Sequence, residues 1–153
     1  MLMTLAPRLL AETDAPAAAA LHAKGFADGW SAASIATLIA EPSVFALGID
    51  DAGTLIAFVL FQSAAGDTEL LTIATDPVRR GEGHARRLIE AALAPLAAAG
   101  NSRLLLDVAE DNAPARHLYA RLGFTLDGRR KGYYTAGRAA PVDALLMSRP
   151  LGG

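Results

Sequence analysis

Residues 76–85 read Asp-Pro-Val-Arg-Arg-Gly-Glu-Gly-His-Ala, between an apolar run that ends at Thr75 and a segment with helical periodicity. A strand that passes through a glycine-bearing turn into a helix presents unpaired backbone N–H groups at the positive end of the helix dipole, which suits a phosphate or pyrophosphate. Gly83 and Ala85 allow such a ligand to approach the backbone closely. The turn is a poor dinucleotide fingerprint: Gly81-x-Gly83 is followed by Arg86 where a third small residue is needed. The chain has no Walker A pattern and no Gly-x-Ser-x-Gly elbow for a serine nucleophile. His22, His84 and His117 stand apart without ligand spacing, so no metal site is expected. The absence of cysteine excludes disulfides, thiolate metal sites and a cysteine nucleophile.

The elements that must position this turn are legible from periodicity. Residues 14–24 and 31–40 read as short helices with Asp14 and Ser31 as N-cap candidates, separated by Gly25, Gly29 and Trp30. Three apolar runs of strand length, 43–49, 54–62 and 68–75, are divided by turn-forming clusters and predict an antiparallel meander. Residues 83–99 place Ala85, Leu88, Ile89, Ala92 and Leu96 at helical spacing and stop at Gly100, with Pro95 expected to kink the helix. Then follow a buried strand at 103–108, a short helix at 112–122 capped by Asn112, and strands at 124–129 and 142–148. The fold class is α/β (α+β): a central mixed, mostly antiparallel sheet flanked by helices, in one domain over residues 1–153. The third and fourth strands are joined through the long helix, so they can lie parallel with a right-handed crossover, and that unit is expected to hold the site.

Composition narrows the function. A chain of 153 residues that is 52% hydrophobic and 20% charged can bury a core and argues against a long disordered region. No uncharged stretch reaches the length of a membrane span, and Glu12 and Asp14 follow Arg8 too closely for a signal peptide; a cytoplasmic location is expected. Residues 1–76 hold nine acids and two bases, whereas 77–153 hold seven acids and twelve bases. The basic half lacks a Lys/Arg run interleaved with aromatics, and Lys24 and Lys131 are the only lysines in the chain, so a phosphate-bearing small ligand fits better than nucleic acid.

The turn and its surroundings resemble the GNAT superfamily of acetyl-CoA-dependent N-acetyltransferases. Arg80, Gly83 and Ala85 match the family's Gln/Arg-x-x-Gly-x-Gly/Ala phosphate signature. Leu-Leu-Thr-Ile-Ala-Thr-Asp-Pro before the turn and residues 112–124 after it are similar to the same family at the right separations, and the likeness covers roughly residues 43–149. Within the superfamily, Leu106-Asp107-Val108, the Tyr133-Tyr134 pair after Arg129-Arg130-Lys131, and the ending Val142 to Met147 resemble the RimI-type ribosomal-protein-alanine N-acetyltransferases. Asp107 stands where that family usually has Glu, and Ala109 where it has Arg.

The resemblance implies acetyl-CoA as cosubstrate, no metal, and direct transfer to an N-terminal α-amino group. That reaction needs a proton acceptor for the amine, a polarised carbonyl and a proton for the departing thiolate. Asp107, at the end of a buried strand, and Glu69, at the start of another, are the candidate bases; the family position is Asp107. Tyr119 lies seven residues after Asn112, on nearly the same helix face, and its phenol stays protonated at neutral pH, so it is the candidate acid. By family likeness, Ile73, Ala74 and Thr75 grip the pantetheine arm through their backbone, Asn112 and Tyr119 border it, and Arg80, Gly81, Gly83, His84 and Ala85 hold the pyrophosphate. Arg130, Tyr133 and Tyr134 form a peptide-facing rim. The expected partner is a protein N-terminus, a small-subunit ribosomal protein among the candidates, with no nucleic acid, no membrane, and a monomeric or weakly dimeric state. A small-molecule amine acceptor and a catalytically weak acyl-CoA-binding module are the alternatives.

Overall fold

The computed structural model describes residues 5–152. In chain order it contains β1 (Arg8–Leu9), α1 (Ala15–Gly25), α2 (Ala32–Ala40), β2 (Val44–Asp51), β3 (Thr54–Ala64), β4 (Asp67–Thr75), α3 (His84–Ala98), β5 (Arg103–Ala109), α4 (Ala113–Arg121), β6 (Thr125–Tyr134) and β7 (Val142–Pro150). The strands make one sheet in the order β1-β2-β3-β4-β5-β7-β6. All neighbours are antiparallel except β4 and β5, which run parallel across the α3 crossover. The mixed sheet of the sequence reading is therefore present, with one strand more than the periodicity indicates.

The differences have local causes. β1 is two residues long, too short for any periodic signal, and joins the edge of β2 through Arg8↔Gly48 and Leu9↔Leu47. Asp14 does not cap α1: its carboxylate accepts from the Ala11 N–H at 2.7 Å and from the Arg8 guanidinium at 2.9 and 3.0 Å. Ser31 does cap α2, its hydroxyl accepting from the Ser34 N–H at 3.1 Å. β6 continues past Arg129 to Tyr134. As an exposed edge strand of polar residues it shows no apolar alternation to read. Pro95 lies inside α3, and the helix runs through it to Ala98 as one element.

Two apolar layers fix which face each side chain occupies. On one face Leu88, Ile89, Ala92 and Leu96 of α3 and Tyr119 of α4 pack on Leu104, Leu106 and Val108 of β5 and on Leu145 and Met147 of β7. On the other face Ala18, Leu21 and Ile35 of α1 and α2 pack on Ala46, Phe58, Leu60 and Ala74. Period-two alternation then puts Asp107, between Leu106 and Val108, on the α1/α2 face.

The parallel pair is incomplete. β4 and β5 register only as Asp67↔Arg103, Thr68↔Leu104 and Glu69↔Leu105, although the strands continue to Thr75 and Ala109. Just beyond Glu69, β3 steps by one residue from Phe61 to Leu60 while β4 steps from Leu70 to Thr72, so Leu71 is an extra, bulged residue. A bulge bends its strand and sharpens its twist, and here it turns the second half of β4 away from β5. The sheet forks at this point.

Candidate active site

The turn after β4 is built to offer N–H groups. Gly83 caps α3 with φ +85° and Gly81 has φ +82°, a left-handed backbone that L side chains rarely adopt. The first helical bond is Arg87 N–H to the Gly83 carbonyl at 3.1 Å. Among the described residues no protein acceptor takes the N–H groups of Gly81 to Arg86. Arg80, the lead residue of the phosphate pattern, is exposed and makes no ion pair among the described residues. Ala85 lies in the first turn of α3 and is half-buried.

His84 is differently placed from the other members of the turn. Its ring is buried, 4% exposed, and is bonded at both nitrogens. The Arg87 Nη2 group donates to Nδ1 at 2.6 Å, which fixes the proton on Nε2, and Nε2 donates to the Glu82 Oε1 atom at 2.8 Å. Arg79 completes the cluster, its Nε reaching the two Glu82 oxygens at 3.0 and 3.1 Å and its Nη2 meeting Asp51 at 2.9 Å. These hydrogen bonds hold the Glu82 carboxyl below the usual carboxylate range, His84 contributing most. His84 therefore faces a ligand only through its backbone. Sequence reasoning did not single out Glu82; the available signal was an acid inside a glycine turn with Arg three residues before it and His two after.

At the fork the strands turn polar backbone groups into the gap. The Asp76 N–H bonds to the Ile56 carbonyl at 2.8 Å on the β3 side, so by antiparallel alternation the N–H and C=O of Ile73 and Thr75 point away from β3, toward the gap, while those of Ala74 are engaged with β3. Ala74 instead sends its methyl into the α1/α2 layer. Across the gap, Asp107 is half-buried on β5, and Glu69 is exposed at the last paired position of β4. Both carboxylates thus sit along the fork, Glu69 at its base and Asp107 farther along the open arm.

Tyr119 approaches from the opposite face. Its ring belongs to the α3/α4 core, 5% exposed and edge-to-face with Phe124 at 5.6 Å. The hydroxyl makes no hydrogen bond among the described residues and is not sealed off as an orphaned polar atom. Burial, with a smaller contribution from Tyr134, pushes the phenol up to about 12. Burial also raises the Tyr134 phenol, and the Asp107 carboxylate adds to this, which brings Asp107, Tyr134 and Tyr119 within one electrostatic neighbourhood. Asn112 caps α4, its Oδ1 accepting from the Ala115 N–H at 3.3 Å, and its Nδ2 group is unengaged among the described residues.

Of the rim residues, Arg130 and Tyr134 share the Asp107 face. Asp107↔Leu146, Arg130↔Ala144 and Tyr134↔Val142 place them in rows on even-numbered β7 partners, opposite the core-facing Leu145 and Met147. Arg130 covers the Tyr133 ring at 5.3 Å, and Arg138, paired with Asp111 at 2.9 Å, covers Tyr134 at 5.5 Å. The loop after Tyr134 closes on the α1–α2 loop, where a Cβ on Gly137 would come within 3.2 Å of the Ala27 Cβ. The two loops thus meet at Ala27 and Gly137. A separate concavity between residues 42–45, 63–66 and the C-terminal end of α3 is lined without a single charged side chain, so it offers no acid or base.

Comparison with known proteins bears on this arrangement. Residues 11–124 match the acetyltransferase (GNAT) family. The chain is 33% identical over 144 residues to the [ribosomal protein bS18]-alanine N-acetyltransferase of Escherichia coli (strain K12), covering 93% of this chain and 95% of that protein. The crystal structure of the ribosomal-protein-S18-alanine N-acetyltransferase from Escherichia coli superposes with TM-score 0.90 at 29% identity, over 98% of this chain and 96% of that one. Arabidopsis thaliana NAA60 in complex with acetyl-CoA shares the fold, with TM-score 0.85 at 19% identity, over 98% of this chain and all (100%) of that one.

Proposed function

Because the chain belongs to the acetyltransferase (GNAT) family, we propose that it moves an acetyl group from acetyl-CoA directly to the N-terminal α-amino group of a protein, with alanine as the acceptor residue. It is an acetyl-CoA-dependent N-acetyltransferase, similar over most of its length to enzymes named for N-terminal protein acetylation. The finer reading rests on one observation: the forked β4–β5 pair has the free N–H turn at its mouth, a carboxylate on one face and a phenol on the other.

In this reading the N–H groups of residues 81–86 and the Arg80 cation take the pyrophosphate, and the free backbone groups of Ile73 and Thr75 bind the pantetheine arm and polarise the thioester carbonyl. Asn112 offers its free Nδ2 to the arm. The acceptor amine enters from the α1/α2 face. An α-amino group has a pKa near 7.7 to 8, so Asp107, through a bridging water if its short side chain requires one, removes a loosely held proton. The nitrogen lone pair attacks the carbonyl carbon, the C–N bond forms and the C–S bond breaks. Tyr119, on the far side of the sheet, gives its proton to the departing thiolate, and the second proton lost by the acetylated nitrogen returns through water to the tyrosinate, restoring the phenol. Glu69 at the base of the fork is the competing proton acceptor. Arg130, Tyr133 and Tyr134 contact the acceptor's following residues, and a ribosomal protein is the candidate for that acceptor. The whole of residues 1–153 acts as one catalytic domain.

The test is mass spectrometry of peptides incubated with the protein and acetyl-CoA. An Ala-initiated peptide should gain one acetyl group at its N-terminus with stoichiometric release of CoA, and the same peptide blocked at the N-terminus should not react. Acetylation of polyamines but of no free peptide N-terminus would overturn the proposal in favour of a small-amine acceptor.

A further inference from the structure

An acid inside an anion-binding turn needs an explanation. Glu82 sits between the two left-handed glycines, within the run of six consecutive N–H groups that have no protein acceptor among the described residues. A free carboxylate there has two options, and both weaken phosphate binding: it accepts those N–H groups itself, or it stands beside the phosphate as a like charge. The structure shows a third arrangement. Arg79, ahead of the turn, grips both carboxylate oxygens, and the buried Nε2–H of His84 binds one of them from behind. Arg87 fixes the required tautomer by donating to Nδ1 and also donates to the Glu82 carbonyl at 3.1 Å, so the same guanidinium anchors the side chain's holder and the turn's backbone. Asp51 steadies Arg79 from β2. The arrangement has a cost, since the Arg87 Nε atom is buried without a partner among the described residues.

We propose that Arg79 and His84 are positioning residues that hold the Glu82 carboxylate out of the acetyl-CoA pyrophosphate cradle, so that cofactor affinity depends on this tie. The inference rests on the phosphate reading of the turn. Its signature is that harm done by cutting the tie disappears when the carboxylate itself is removed, which a merely structural role for His84 does not predict.

The experiment compares wild type, His84→Ala, His84→Gln, Glu82→Gln and the double variant Glu82→Gln/His84→Ala, measuring CoA affinity by calorimetry and KM for acetyl-CoA and kcat with an Ala-initiated peptide. His84→Ala should raise the CoA Kd and the acetyl-CoA KM about tenfold, the scale of one like charge at a partly exposed site, with kcat changed far less. His84→Gln, which keeps a donor near the Nε2 position, should stay within about threefold of wild type. The double variant should return to within about threefold of Glu82→Gln. A double variant as weak as His84→Ala would assign His84 to packing and overturn the proposal, as would a His84→Ala protein with unchanged affinity. Should His84→Ala fail to fold, Arg79→Gln with and without Glu82→Gln provides the same comparison at the other end of the tie. A wild-type protein that does not bind CoA would instead remove the phosphate reading on which the proposal stands.

Discussion

Asp107 and Tyr119 face opposite sides of a sheet whose β4–β5 pairing ends at Glu69↔Leu105. Replacing Asp107 by Asn keeps size and removes basicity, so a large fall in rate is expected, whereas Asp107→Glu extends the acid toward the amine and should give near-normal or higher activity. Glu69→Gln should have the smaller effect, because Glu69 lies at the paired base of the fork. Peptide rates over pH 6 to 9 for the three variants decide this; a wild-type rate in Asp107→Asn beside a collapse in Glu69→Gln would make Glu69 the base. For Tyr119, a phenol pushed up to about 12 holds its proton throughout that range. Tyr119→Phe should lower kcat by roughly 10² to 10⁴ with acetyl-CoA affinity nearly intact. A wild-type rate would leave Tyr119 as a core residue alone. Sequence could name these side chains because their types and spacings carry chemistry, but it could not place them on opposing faces. That depends on strand register and on the core-facing alternation of β5.

At the level of elements, the turn before α3 was legible because glycines and a helix start leave local marks. A valine at position 83 would force a β-branched residue into φ +85° and bring its Cβ to 3.2 Å from the Arg87 guanidinium. Gly83→Val should therefore raise the CoA concentration needed for half-maximal thermal stabilisation at least tenfold, about 1.4 kcal/mol, and unchanged CoA-dependent stabilisation would remove the turn from the cofactor site. The Leu71 bulge was not legible, since the run 68–75 looks like an uninterrupted strand and the extra residue shows only against β3. The same holds for β6, whose course past Arg129 is set by pairing with β7 rather than by its own sequence. The helix α1 carries a further element-level tie that periodicity did not announce. His22, 1% exposed, accepts the Trp30 N–H at Nδ1 and donates from Nε2 to Thr72 on β4, stacked on Phe26 at 4.0 Å.

That histidine affects the whole molecule's response to acid. Burial lowers the His22 pKa below its ordinary 6.5, so the folded state holds the ring neutral where the unfolded chain takes up a proton. The stabilisation is complete above pH 6.5 and is lost as pH falls below it toward the folded value, at no more than about 1.4 kcal/mol per pH unit. Urea melts should show wild type losing stability from pH 7.5 to 5.5 and a His22→Gln variant, less stable at pH 7.5, declining less steeply. Equal slopes would place the acid sensitivity elsewhere. Two ion pairs, Arg103 with Asp67 and Arg79 with Asp51, join the basic half of the chain to the acidic half, and Arg129 pairs within the basic half with Glu110 and Asp143. What pairing does not resolve is the fork, where backbone donors and acceptors that a complete sheet would satisfy are left to water. In the free protein these amides have no ladder to slow hydrogen exchange, and the seam between β4 and β5 has only three register pairs to part when the molecule breathes. A thioester arm lying between Ile73 and Asp107 would act as the missing rungs. Deuterium uptake at residues 71–75 should then drop on adding acetyl-CoA, far more than at β2 or β3.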